Sequence, residues 1–397
     1  MGKWGVLAAL IVWAGCAAPS ALPPEVETFL QSADSALSVQ DAQAALAWTE
    51  RAEDVAPGHP AIAAKRGTIA YVLGQYDEAR TQLEQAVAQD PTAAEWWMVL
   101  GDVAFQQERF EDALGFYTRS VEAAATPEAW LGAANAHWEL DEVDEARQAC
   151  EQALLADSTY APAHSSLADV LEELGDFEPA LAHATDALRL QPDEPIYRTQ
   201  VGVLLFKTER WVPAANMLYP VVERQPWNYT ALFTIGQALQ QLGHAEPAAE
   251  FLKQASVVQQ QDTQLRLAQQ SAALQPTSAE AQVKVAEQLL EAGREAEAIQ
   301  AFMRVQLLRP DNLGVQHTIA SLLLGIGERD EARRRYASIL AADSSYVEAA
   351  VSLGAILYED GQPGAARALW QTSLKRAPDN ANLRSLLAQT QPANVDS

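Results

Sequence analysis

The chain has few cysteines and lacks the residue patterns of β-sheets and disulfide-rich folds. Only Cys16 and Cys150 occur among its 397 residues, so no disulfide framework stabilises the fold. Runs of β-branched and aromatic residues with period-two alternation are missing, which argues against strands. Because 49% of the residues are apolar, with alanine and leucine prominent, the composition indicates an ordered protein of closely packed helices.

Positive charge is scarce, and it is scarcest in the middle of the chain. The formal net charge is −26, from 27 basic and 53 acidic side chains. Residues 90–200 carry 23 acidic side chains, five arginines and no lysine, a net charge of −18. A surface this acidic repels phosphate groups, which argues against a nucleic-acid partner and against electrostatic attraction to anionic lipid.

Recognisable catalytic and metal-binding motifs are missing as well. The six histidines lie at unlike positions without an HExxH or comparable spacing, and no glycine-rich phosphate loop or Gly-x-Ser-x-Gly turn is present. Cys150 falls at a core position of its helix, so we interpret it as a small buried hydrophobe, not a nucleophile. The sequence predicts no enzyme activity, no cofactor and no metal site.

What the chain does contain is an internal repeat of about 34 residues. Small residues recur at intervals of 34, 34, 33, 34, 34, 34, 50, 34 and 34, at Ala45, Ala79, Ala113, Ala146, Ala180, Ala214, Ala248, Ala298, Ala332 and Ala366. Glycine or alanine stands twelve residues before these repeat alanines, glycine often stands five before, and proline often stands twelve after. Small side chains let two helices cross closely, the turn glycine ends the first helix and the proline closes the second.

The pattern resembles the tetratricopeptide repeat. The third unit shows it best, with Trp97, Leu100, Gly101, Phe110, Ala113, Tyr117 and, displaced by two, Pro127. The resemblance implies an all-α fold, an α-solenoid of about ten helical hairpins in a right-handed superhelix whose first helices line a concave groove. The predicted segments are seven repeats over 26–260, an extended or extra helix over 261–278, three repeats over 279–378, and a capping helix and tail over 379–397.

The first fifteen residues resemble a bacterial lipoprotein signal peptide. Residues 4–13 form an apolar stretch of signal-peptide length, too short to span a bilayer. The run Trp13-Ala14-Gly15-Cys16 then resembles the lipobox, although lipoproteins prefer leucine where Trp13 stands. The resemblance implies that Cys16 is acylated and attached to a tether over 16–25, which anchors the chain in a membrane.

The same resemblance predicts a location in the bacterial cell envelope, with the chain facing the periplasm. Ala17, not aspartate, follows the cysteine, and this favours the outer membrane. The alternative is an ordinary secretory signal cut after Ala18, which predicts a secreted or periplasmic protein.

The predicted groove carries both apolar and acidic side chains. Its aromatic and apolar candidates, counted from the repeat alanines, are Tyr71, Met98, Phe105, Leu131, Trp138, Phe206 and Phe233. Its polar candidates are Glu95, Asp102, Glu128, Asn135, Glu139, Asp169 and Glu172. Such a surface suits a peptide with basic and apolar side chains. In the alternative interpretation, the aromatic residues serve the fold and the acids keep the surface soluble.

Two functions of different classes follow from these features. The leading hypothesis is a non-catalytic, lipid-anchored scaffold that binds a protein or peptide partner in bacterial envelope assembly or secretion. The alternative is a glycan-associated protein serving polysaccharide export or peptidoglycan enzymes, because sugar-binding surfaces also combine aromatic rings with amides and carboxylates. The carboxylate clamp of chaperone-binding relatives is not expected, since among the groove positions only Asn135 suits it.

Overall fold

The structure is a computed structural model that describes residues 22–38 and 41–390. These residues form 21 α-helices and no strand. The predicted fold class, an all-α solenoid of helical hairpins, is therefore confirmed. The predicted signal peptide, Cys16 and tether residues 16–21 lie outside the described residues.

The chain divides into two compact units, Met1–Met217 and Leu218–Ser397, here unit 1 and unit 2. The helices wholly within unit 1 are α1 (Pro24–Ser38), α2 (Ala42–Val55), α3 (Pro60–Val72), α4 (Tyr76–Gln89), α5 (Ala94–Gln106), α6 (Phe110–Ala123), α7 (Pro127–Glu139), α8 (Val143–Ala156), α9 (Ala161–Glu173), α10 (Phe177–Leu190) and α11 (Pro195–Lys207). The boundary lies in α12 (Trp211–Arg224). The helices of unit 2 are α13 (Tyr229–Gln241), α14 (Ala245–Leu274), α15 (Ala279–Glu291), α16 (Glu295–Leu308), α17 (Leu313–Gly325), α18 (Arg329–Ala342), α19 (Val347–Glu359), α20 (Pro363–Arg376) and α21 (Ala381–Gln389).

In the second to tenth hairpins, whose turns lie within the described residues, the backbone is left-handed at the position five residues before the repeat alanine. Glycine supplies this conformation in several repeats, for example at Gly175 with φ of 81°. In three of these nine turns the residue is not glycine, and Glu108, Asp141 and Glu209 adopt φ of 58°, 62° and 60°. The geometry of the hairpin therefore overrides the local preference of these three residues.

Close packing between the two helices of a hairpin depends on the small residues of the repeat. All ten repeat alanines are buried, with at most 2% of their surface exposed. In the third hairpin the ring of Tyr117 lies against Gly101, where an added Cβ would be 2.5 Å from the ring carbon Cε1. The same relation joins Trp370 to Gly354 in the tenth hairpin. The recurring small side chains thus create room for a large one from the second helix.

The 50-residue interval corresponds to α14, a single helix of 30 residues. Of the two predicted alternatives, the structure has the elongated helix and not an additional one. Its buried residues form one stripe along the helix, at Ala248, Ala255, Val258, Leu265, Ala268 and Ala272. Near the middle, Gln261 donates to the carbonyl of Glu291 at 3.1 Å, and Asp262 pairs with Arg294 at 3.5 Å. These contacts hold the added turns against the hairpin that follows.

Both ends of the described array are defined by specific residues. Helix α1 begins at Pro24, two residues before the predicted start of the array, because proline is well accepted in a first helical turn. At the other end, Asn380 caps α21 by accepting the N–H of Leu383 at 3.0 Å. Leu383 is buried against Trp370, so α21 covers the apolar face of the last hairpin.

Candidate functional site

The structure places the predicted binding residues on the first helices of the hairpins. Thirteen of the fourteen lie in unit 1, on α3, α5, α7, α9 and α11, while Phe233 lies on α13 in unit 2. Each of these five helices contacts the next one of the set, so they form one surface of unit 1, the first-helix face. None of the fourteen side chains is buried. They are therefore available to a ligand.

A pocket of about 350 Å³ opens on the first-helix face between α7 and α9, here the α7–α9 pocket. Its lining residues are Ala134, Asn135, Trp138, Cys150, Ser166, Asp169, Val170, Glu172 and Glu173. Four of the predicted site residues are brought together here: Asn135, Trp138, Asp169 and Glu172. The other nine predicted residues of unit 1 lie outside this pocket.

Asp169 is held in place by a residue of the next hairpin. The buried amide of Gln200 donates from Nε2 to Oδ1 of Asp169 at 2.6 Å and to the carbonyl of Ser165 at 2.8 Å. The Ser165 hydroxyl in turn donates to Oε1 of Gln200 at 3.0 Å. Both ends of the Gln200 amide are therefore satisfied, and the Asp169 carboxylate has a fixed orientation on the pocket wall.

The position of Asp169 also changes its acidity. The side chain is exposed to water on one side, yet the protein that forms the pocket surrounds it on the other. This partial removal from water raises the pKa of the Asp169 carboxyl to about 6, and the nearby Glu172 carboxylate adds to the effect. The hydrogen bond from Gln200 acts in the opposite direction.

The pocket is acidic, and one of its carboxylates already has a basic partner. Lys207 from α11 pairs with Glu172, with Nζ 2.5 Å from Oε1. Within the described residues, no ion pair is found for Asp169 or Glu173. The buried side chains of Ala134 and Cys150 form the floor of the pocket, and both are apolar. Burial raises the pKa of the Cys150 thiol to about 12, which agrees with its interpretation as an inert core residue.

A second polar contact lies on the same face, one repeat earlier. The hydroxyl of Tyr117 donates to Oδ1 of Asp102 at 2.7 Å. Burial raises the pKa of the Asp102 carboxyl, and the hydrogen bond from Tyr117 opposes this shift. Burial, with a smaller contribution from Asp102, raises the pKa of Tyr71 to about 12. Asp102 is therefore occupied by an internal partner.

Several of the predicted aromatic residues pack within their own hairpins. Phe105 meets Phe110 edge-to-face with ring centroids 5.2 Å apart, and Tyr71 lies 6.2 Å from Tyr76. These contacts support the structural alternative for Tyr71 and Phe105, although both side chains remain partly exposed.

Sequence reasoning missed the parts of the site that depend on register between repeats. It treated Cys150 as core filling and gave no role to Ser166 or Gln200. A signal was present in the sequence. Cys150 stands at the position of the repeat where other repeats have large side chains, such as Tyr117 and Tyr336. A small residue at that position predicts a gap in the packing.

Residues 22–38 and 41–390 contain no group of three or more His, Cys, Asp and Glu side chains placed to hold a metal ion. Over the same residues, no helix combines the length and apolar character needed to cross a bilayer.

Comparison with known families identifies the repeat. Family models described as Tetratricopeptide repeat match residues 64–126, 127–160, 161–194, 229–256 and 323–390, which together make up more than half of the chain. The chain belongs to the tetratricopeptide-repeat family. The predicted resemblance is thereby confirmed for the repeats.

Parts of this tetratricopeptide-repeat protein are similar to other proteins. U-box domain-containing protein 70 of Oryza sativa subsp. japonica is 26% identical over 122 residues, which are 30% of this chain and 15% of that protein. The solved structure of YrrB, described as a TPR protein with an unusual peptide-binding site, has 24% identity and a TM-score of 0.39 over 45% of this chain and 92% of its own. PilW, described as a widely conserved type IV pilus biogenesis factor, has 16% identity and a TM-score of 0.48 over 53% and 97%. The two structural likenesses reflect the repeated hairpin alone.

Proposed function

We propose that this tetratricopeptide-repeat protein is a non-catalytic scaffold, lipid-anchored at Cys16, that binds a protein or peptide partner in bacterial envelope assembly or secretion. The observation that carries the binding part is the α7–α9 pocket, where Trp138 lies beside the carboxylates of Asp169, Glu172 and Glu173. An aromatic ring next to carboxylates on an open protein surface suits a peptide with basic and apolar side chains.

The charge distribution supports a basic partner. Residues 90–200, which include α5, α7 and α9, have a net charge of −18. A field of this sign attracts cationic chains and accelerates their association, and salt screens it. We therefore expect binding of the partner to weaken as the ionic strength rises.

The envelope location rests on the N-terminal sequence. Residues 1–15 have the features of an export signal, and Cys16 stands at the acylation position of the lipobox-like run. Several acyl chains on one cysteine hold a protein at a bilayer more firmly than a single chain. A scaffold anchored in this way meets its partner at the membrane surface.

Crosslinking in intact bacteria that express the full chain tests the proposal. The double variant Phe105→Ala, Trp138→Ala should capture the partner much less, because it removes two partly exposed rings from the first-helix face. Leu155→Ala is the matched control, since Leu155 lies on the second helix α8 with 76% of its surface exposed. Circular dichroism verifies equal helical content.

Two other outcomes of the crosslinking experiment would be informative. Equal capture by the double variant and the control would contradict binding through the first-helix face. A glycan-associated function is favoured by one observation, the neighbouring indole, amide and carboxylate of Trp138, Asn135 and Asp169. Retention of the protein on purified cell-wall sacculi, with no crosslinked protein partner, would support that second function.

A further inference from the structure

The α7–α9 pocket lies where the fourth repeat lacks a large side chain that most other repeats have. The position four residues after each repeat alanine, here the filling position, lies on the second helix and faces the first. Its occupants are Thr49, Leu83, Tyr117, Cys150, Ala184, Leu218, Leu252, Phe302, Tyr336 and Trp370. Where glycine stands opposite, the filling side chain lies directly against it, as Leu83 does at Gly67 and Leu252 at Gly236.

In the ninth repeat a large side chain occupies the filling position, and the flanking residues are of the same kind as those of the fourth repeat. Tyr336 is 1% exposed, and its hydroxyl lies 2.9 Å from that of Ser321. In the register of the repeat, Ala320 and Ser352 stand on either side of it. The fourth repeat has Ala134 and Ser166 at those two positions, but it has Cys150 in place of the tyrosine. The volume that a tyrosine ring would occupy is left open there.

The fifth repeat also has a small filling residue, Ala184, but its flanking residue is a long one. Gln200, at the register position of Ser166, extends its amide back to Ser165 and Asp169. Ser166 is too short to do the same in the fourth repeat. The opening therefore occurs between α7 and α9, where both the filling residue and the flanking residue are small.

The open pocket is chemically selective. Its floor, Ala134 and Cys150, is apolar, while its rim carries the carboxylates of Asp169, Glu172 and Glu173. Lys207 compensates one of these three charges through Glu172. A neutral ligand would leave the remaining negative charge uncompensated, whereas a cation would pair with it. The Trp138 indole adds a flat π surface, which favours a cation that is itself planar.

We propose that the α7–α9 pocket receives an arginine side chain of the partner, with its guanidinium beside Trp138 and bound by Asp169 and Glu173. The aliphatic part of the arginine covers the apolar floor above Cys150. Arginine suits this pocket better than lysine, because a planar guanidinium stacks on an indole and donates to two carboxylates at once. This inference rests on the proposed function, since it assigns one side chain of the partner to one pocket.

The experiment uses the full chain and five-residue peptides of the form Leu-Ala-X-Ala-Leu, acetylated, amidated and labelled for fluorescence anisotropy. X is arginine, lysine, citrulline or norleucine. Citrulline is the decisive comparison, because it keeps the shape of arginine and removes the charge. The arginine peptide should bind about tenfold or more tightly than the citrulline peptide, and more tightly than the lysine peptide.

Two variants locate that preference in the pocket. Cys150→Tyr should close the pocket, as Tyr336 closes the equivalent space, and should abolish the preference for arginine over citrulline. Asp169→Asn should also abolish most of it without changing the shape of the pocket. Asp144→Asn is the charge-matched control on the exposed side of α8, where Asp144 pairs with Arg147 at 3.2 Å, and it should retain the preference. If Cys150→Tyr fails to fold, the Asp169 and Asp144 variants decide the question.

The outcomes separate this inference from the proposed function. Peptides that bind equally whatever X is would overturn the arginine pocket while leaving a peptide-binding scaffold in place. An arginine preference that persists in both pocket variants would also overturn it. If no peptide binds and a neutral chito-oligosaccharide binds in their place, the arginine pocket and the protein-partner function both fail. Loss of crosslinked partner in a Phe105→Ala variant, which leaves the lining of the α7–α9 pocket unchanged, tests the scaffold independently of X.

Discussion

The ring of Tyr117 lies directly on the backbone of Gly101, and its hydroxyl donates to the neighbouring Asp102 at 2.7 Å. The contact allows no larger residue on the first helix, because an added Cβ at Gly101 would lie 2.5 Å from ring carbon Cε1. Tyr117 of α6 thus contacts two consecutive residues of α5, packing on Gly101 and donating a hydrogen bond to Asp102. Similar constraints on pairs of helices make the repeat visible in the sequence.

Gly101→Ala should destabilise unit 1 by about 1–3 kcal/mol, because the ring of Tyr117 must move from a close-packed site. Gly115→Ala is the control, since an added Cβ at Gly115 in α6 would meet no atom within 4 Å beyond its chain neighbours and the backbone of its own helix. That change should stabilise the helix by about 0.5–1 kcal/mol. Chemical denaturation of the full chain, followed by circular dichroism, measures both, and equal stability of the two variants would contradict the packing argument.

Glu209→Gly should increase the stability of unit 1 by up to about 1 kcal/mol. Glu209 has φ of 60° in the turn between α11 and α12, and glycine adopts this conformation without the steric cost that a Cβ brings. The converse variant, Gly175→Ala, places a Cβ at φ of 81° and should lower stability. Thermal melting of the two variants checks the prediction, which fails if both shift the midpoint in the same direction.

Binding of the arginine peptide should weaken as the pH falls from 7.5 to 5. The pKa of Asp169 is raised to about 6, so this carboxylate loses its charge within that range. A bound cation favours the ionised form, and protonation of Asp169 therefore costs affinity. Glu172 and Glu173 also line the pocket, and Lys207 pairs with Glu172, so the comparison is with Asp169→Asn. Anisotropy titrations should show a steep fall for the wild type between pH 7 and 5 and a shallower one for the variant.

Gln200→Leu should destabilise unit 1 by about 1–3 kcal/mol, since it leaves the buried Ser165 groups and one oxygen of Asp169 without their partner. It should also raise the pKa of Asp169 further, because the bond from Gln200 lowers it. Gln152→Leu, at an exposed position on α8, provides the control. Denaturation measurements that place both variants at wild-type stability would show that the network is not stabilising.

Cys16→Ser should release the full chain from bacterial membranes, because serine at that position takes no lipid anchor. Fractionation of cells into membrane and soluble parts measures the effect. Cys150→Ser serves as the cysteine control, since Cys150 is buried in α8, and it should leave the membrane fraction unchanged. A Cys16→Ser protein that remains with the membrane would refute the acylation proposal.

The fold was largely predictable from the sequence because its determinants are local and repeated. The repeat alanines, Gly101 and the turn glycines each restrict a helix crossing or a turn, and ten copies make the restriction recognisable. The candidate site was only partly predictable. Trp138 and Asp169 follow from helix periodicity, whereas the pocket between them depends on what Cys150 and Ser166 leave unfilled. The bonds of Gln200 depend on the approach of a side chain about thirty residues away, which no local pattern encodes.

The presence of cysteine where another repeat has tyrosine has a genetic consequence. The codons for cysteine and tyrosine differ by a single base, so one mutation at position 150 converts an open repeat into a filled one or the reverse. The ninth repeat accommodates the tyrosine between flanking residues of the same kind, with Tyr336 between Ala320 and Ser352. Descendants of one ancestral array can therefore differ by a single codon in whether this pocket is open or filled.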